Sequence, residues 1–128
     1  MKKIILAAAL CVVTSFALHA GDKYQHFPSL DSPDLSAALC NLQQYNDKIS
    51  RLVNQPSPTV EDMVKIHELT YTLENALKQI STDLVEMAQD LEEMHLASES
   101  MNAGVMSTSG KKYLTASNVI ASGASCDR

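Results

Sequence analysis

The sequence predicts an all-α protein: one long central amphipathic helix with shorter helices packed against it, three helices in all. Three observations predict it. The 128-residue chain is rich in Ala, Leu, Met, Gln and Glu, with 5% aromatic residues, no Trp, four Gly and four Pro. That leaves too little β-branched, aromatic and turn-forming material for a sandwich or barrel. From Met63 to Met101 a seam recurs in alternating steps of three and four residues, with no Gly or Pro inside it, the spacing of one helix face. The length is that of a single domain.

The first 20 residues read as a secretory signal peptide, expected to be cut between Ala20 and Gly21, with a cut after Ala17 as the second choice. Lys2 and Lys3 precede an apolar run, Ile4 to Leu18, of about 15 residues, too short for a membrane span. Cys11 follows Leu10 rather than Gly or Ala, which disfavours lipid attachment there. A periplasmic or secreted location is therefore expected. Removing the leader leaves 8 bases against 15 acids, a net charge of −7, which disfavours nucleic acid as a partner. No later segment reaches 18 apolar residues, so no membrane span is expected in the mature chain.

Residues 21–32 carry Pro28 and no periodicity, and form an extended arm. A single helical domain follows over residues 33–122. Ser32-Pro33-Asp34 is a helix start, with Ser32 as N-cap and Pro33 in the first turn. The apolar positions Leu35, Ala38, Leu39, Leu42, Tyr45, Ile49, Leu52 and Val53 lie on one face, and Pro56 and Pro58 stop the helix near Asn54. Thr59 caps the next helix, with Glu61 and Asp62 in its first turn.

The seam then runs Met63, Ile66, Thr70, Leu73, Leu77, Ile80, Leu84, Met87, Leu91, Met94, Ser98, Met101. One coiled-coil-like helix over 60–100 is about 60 Å long. The alternative is a break near Ser81–Asp83, where Asp83 and Glu86 would form a capping box and the fold would become a four-helix up-down bundle. Residues 102–110 look like a connection, and a short last helix surrounds Tyr113 to Ile120. Residues 123–128 form an irregular tail. The first helix is half as long as the central one, so it can cover the first half while the last helix covers the second.

Cys40 and Cys126 survive cleavage, and an even count in an exported chain favours a disulfide. An intramolecular bridge would staple the tail to the first helix. With Leu35, Leu42 and Ile49 inward, Cys40 falls on that helix's outer face, so pairing between chains stays open.

His67 and His95 are four heptads apart on the same flank of the seam. In an unbroken helix they stand about 42 Å apart. Glu92-x-x-His95 puts a carboxylate and an imidazole on one face, but Val64 stands where a second such motif would need Glu, so a di-iron site is not expected. A carrier of haem or a divalent transition metal, using His67, Glu92 and His95, is the alternative to a chain with no cofactor. Asp83, Glu86, Asp90 and Glu93 form an acidic stripe, either a solvated face or a dock for a basic partner. No Gly-rich loop, nucleophile elbow or zinc-protease pair is present, so no catalytic residue is expected.

Two blocks carry a resemblance: His67-Glu68-Leu69-Thr70-Tyr71-Thr72-Leu73-Glu74-Asn75-Ala76-Leu77 and Leu91-Glu92-Glu93-Met94-His95-Leu96-Ala97-Ser98-Glu99. With the leader, the arm bearing His26 and Phe27, and the Tyr45-Asn46 region, they resemble a family of short secreted proteobacterial proteins, domain of unknown function 6746. The resemblance implies export and helicity and no particular chemistry; the Cys40/Cys126 pair is not part of it. It singles out His67, Tyr71, Glu74, Asn75, His95, Ser98 and Glu99 as candidate binding residues. Thr70 and Ser98 occupy core-type positions, where a packed partner would have to satisfy their hydroxyls. The expectation is a non-enzymatic protein that binds a protein partner or itself.

Overall fold

The structure, a computed structural model, describes residues 28–126. The leader and residues 21–27 of the arm lie outside the described residues. The described chain holds three helices and no strand. α1 spans Leu35–Val53, α2 Val60–Glu99 and α3 Ala103–Ser122.

α2 is a single helix of 40 residues, without a break at Ser81–Asp83. Its start is capped by Thr59 as expected, and Asp62 completes a capping box. The Thr59 hydroxyl oxygen accepts from the Asp62 N–H at 3.1 Å, and the Asp62 carboxylate accepts from the Thr59 N–H at 2.8 Å and its O–H at 2.7 Å. These donors, the backbone N–H first, hold the Asp62 carboxyl below its ordinary pKa.

α1 ends at Val53 with Asn54 as C-cap, as the two prolines require. Its N-cap is Asp34, not Ser32: Asp34 Oδ1 accepts from the Ala37 N–H at 2.8 Å. Ser32 is buried and accepts from Asn41 Nδ2 at 3.1 Å, which fastens the arm to the helix. Both residues are good caps; the inward hydrogen bond takes Ser32 and leaves the cap to Asp34.

α3 is longer than the sequence suggests. Residues 103–110, expected as connection, form its first turns. The reversal needs only Ser100, Met101 and Asn102, with Met101 in the left-handed region at φ 55. Asn102 caps α3 by accepting from the Val105 N–H at 3.2 Å. The small residues that look weakly helical are those that let α3 approach α2. A Cβ on Gly110 would lie 2.9 Å from Met94 Sδ, and Ser109 is fully buried. Close packing outweighs a helix-propensity cost of about 1 kcal/mol for such a glycine.

α1 doubles back along the first half of α2 and α3 along the second, and both pack mainly on α2. They meet at its middle, where Leu35, Met87 and Val119 line one groove. Cys40 and Cys126 are bridged there within the chain, with a Cα–Cα distance of 5.5 Å. Cys40 is only half-buried on the outer side of α1, and the irregular tail after Gly123 reaches it there.

This layout gives a rod two helices thick at most levels. Its deepest apolar positions are small, Ala38, Ala76 and Ala97, with Leu35 where the helices meet. The expected seam is only partly covered. Leu73, Ile80, Met87 and Met94 are half-buried. Leu77 (53%), Leu84 (46%) and Leu91 (41%) remain exposed.

Candidate functional site

The first motif block is used largely for assembly. Thr72 is fully buried, and its hydroxyl oxygen accepts from the Leu30 N–H at 3.1 Å. Asn75 Nδ2 donates to the Leu30 carbonyl at 3.1 Å and to Ser29 Oγ at 3.2 Å. One helical turn thus clamps the arm through both backbone polar groups of Leu30. Ala76 on the same face is fully buried. Asn75 is among the residues that the resemblance singles out. Thr72 was missed, although it sits between Tyr71 and Asn75 in the same block.

His67 and His95 repeat one local arrangement. The Thr70 hydroxyl donates to the His67 carbonyl at 2.7 Å, and the Ser98 hydroxyl to the His95 carbonyl at 2.6 Å. Four residues on, Tyr71 Oη lies 3.0 Å from His67 Nε2, and Glu99 Oε1 lies 3.4 Å from His95 Nε2. The seam hydroxyls of Thr70 and Ser98 therefore bond their own helix and require no partner. Glu74 is exposed on the same helix.

α2 keeps the two histidines about 42 Å apart at 1.5 Å per residue, so one chain cannot bring them to one ion or one haem. Among the described residues no three His, Cys, Asp or Glu gather closely enough to hold a metal ion, although Glu92, His95 and Glu99 share one face of α2.

The acidic stripe is answered largely within the chain. Asp90 pairs with Lys112 of α3 at 3.8 Å. Glu93 accepts from the buried Ser109 hydroxyl at 2.5 Å, and Asp83 accepts from Gln79 Nε2 at 3.1 Å. Asp90 and Glu93 thus tie α2 to α3, while Asp83 bonds within its own helix.

What stays open is apolar. Leu77, Leu84 and Leu91, with Ser81 and Ala88 between them, form a stripe beside the face that α1 and α3 cover, and Val85 (55% exposed) flanks it. A shallow groove of about 860 Å³ adjoins it, lined by Val85, Ala88, Leu96, Ala97 and Val105 among others. No helix among the described residues is long and apolar enough to cross a membrane.

Fold and site together define a small disulfide-tied helical rod with one uncovered apolar stripe along its longest helix. A protein-family model described as Family of unknown function (DUF6746) matches residues 1–122. The chain belongs to that family. The match includes both motif blocks and Cys40 and stops short of Cys126. No curated protein matches the chain. No solved structure matches it.

Proposed function

We propose that this protein is a non-enzymatic helical interaction module that works after export, in the periplasm or outside the cell. The observation that carries the reading is the uncovered stripe Leu77, Leu84 and Leu91 on a helix whose adjacent face is packed. Three leucines at heptad spacing, left about half exposed, form a contiguous patch of the kind that marks a protein contact. Export is supported by the intramolecular Cys40–Cys126 bridge, since such bonds persist in oxidising compartments. The histidines support the same reading, because each bonds a neighbour on its own helix.

Photo-crosslinking in the producing cell tests it. A photoreactive amino acid at Leu84 should give an adduct with a protein on irradiation. The same group at Lys111, exposed on α3, should give none. No adduct at Leu84, or equal adducts at both positions, would refute the reading.

A further inference from the structure

We infer that the occupant of the α2 stripe is a second copy of this chain, packed antiparallel about a two-fold axis near Leu84. The inference rests on the docking reading above and names its partner.

The first argument is the symmetry of the stripe. Its positions are Leu77, Ser81, Leu84, Ala88 and Leu91, in steps of four, three, four and three. Read in either direction the pattern is large, small, large, small, large. A two-fold interface must present one patch to itself in reverse. About an axis at Leu84, Leu84 meets its own copy, Leu77 meets the partner's Leu91, and Ser81 comes within one residue of the partner's Ala88. Leucine thus meets leucine along the whole stripe, with a small residue between each pair.

The second argument is charge. Lys78 and Glu92 are both exposed and, at 100° per residue, lie on the same flank of the stripe. In the antiparallel pair Lys78 stands about 3 Å along the axis from the level of the partner's Glu92, within reach of its long side chain, and the contact is made twice. A parallel pair would leave Lys78 and the partner's Glu92 14 residues, about 21 Å, apart along the axis, so this contact selects the antiparallel direction. The same register brings Glu74 of the first motif block level with His95 of the second.

The third argument is size. With the axis at Leu84 the two α2 helices overlap over residues 69–99, a strip about 46 Å long and about 10 Å wide. It supplies on the order of 460 Å² per chain, more than half of the roughly 800 Å² per partner of a stable interface. The rest comes from the layout. Antiparallel pairing sets α1 of one chain level with α3 of the other, so each half of the dimer becomes a four-helix section. A rod two helices thick thereby gains the core that it lacks alone.

The test uses the protein expressed as the full 128-residue chain, in the processed form recovered, with its disulfide intact. Sedimentation equilibrium should show a dimer whose dissociation constant rises at least about 100-fold in Leu84→Glu, which sets two carboxylates at the two-fold axis. Lys78→Glu and Glu92→Lys should each weaken it several-fold, and the double reversal should restore it. Leu84, Lys78 and Glu92 are exposed, so circular dichroism of each variant should match the parent. Carbodiimide coupling of mixed light and heavy chains should give a Lys78–Glu92 crosslink between chains.

A monomer at all concentrations to about 0.5 mM, or a dimer indifferent to Leu84→Glu, overturns the inference. If photo-adducts at Leu84 then join a different protein, only the identity of the partner falls. If none form, the docking reading falls with it.

Discussion

Replacing both bridged cysteines by serine, Cys40→Ser with Cys126→Ser, should lower stability by about 4.6 kcal/mol. The bridge closes a loop with a sequence separation of 86. In the chain-entropy description, releasing that loop returns about 15 cal/mol/K to the unfolded chain, or about 4.6 kcal/mol at 25 °C. The Cα–Cα distance of 5.5 Å falls in the ordinary range, so the backbone offers little strain to offset the loss. With an unfolding entropy of about 2.1 cal/mol/K per residue and about 100 ordered residues, that becomes a fall in Tm of about 20 °C.

Thermal and urea unfolding followed by far-UV circular dichroism measure it, on the oxidised parent, the double variant and the parent under reductant. The urea m-value should rise as the midpoint falls, because the unlinked chain exposes more surface when unfolded. A drop in Tm under about 5 °C would refute the argument. So would a full drop with an unchanged m-value, which would place the effect in the native state.

The arm clamp gives a second prediction: Thr72→Val leaves the Leu30 N–H without its acceptor and should cost about 1–3 kcal/mol by urea titration. Exchange of the Leu30 amide should then accelerate while α3 amides keep their protection. Ser109→Val removes the donor to Glu93 at a fully buried position and should cost about 1–3 kcal/mol, checked by the same titration, with Glu93→Gln recovering part of the loss in the Ser109→Val background.

The capping box gives a pH dependence. The folded Asp62 pKa lies below its unfolded value, so its contribution is fully present above the unfolded pKa of about 3.9. It disappears as pH falls through the lower folded pKa. Exchange protection in the first turn of α2 should weaken in that acid range, and Asp62→Asn should abolish the dependence.

Much of the fold is local and was legible. Thr59 with Asp62, the pair Pro56 and Pro58, and a stretch from Val60 to Glu99 free of Gly and Pro set the long helix through capping and propensity, which act over a few residues. Its unbroken register favoured one helix but left a hairpin open, and the structure shows the single helix. The start of α1 was two residues off because Ser32 answers to Asn41, nine residues on, rather than to the helix it precedes.

Family membership, the all-α class and the order of helices followed from the sequence alone. Tertiary structure decided the rest. The start of α3 depends on Gly110 and Ser109 nesting against Met94 and Glu93, a gain that no propensity scale contains. Cysteine pairing required the tail and α1 to meet at the middle of α2. Periodicity showed which positions of α2 are apolar but not which of them are covered, because burial depends on where other helices lie. α1 and α3 fill the side bearing Thr72, Ala76 and Ala97, and so Leu77, Leu84 and Leu91 are left open at the surface.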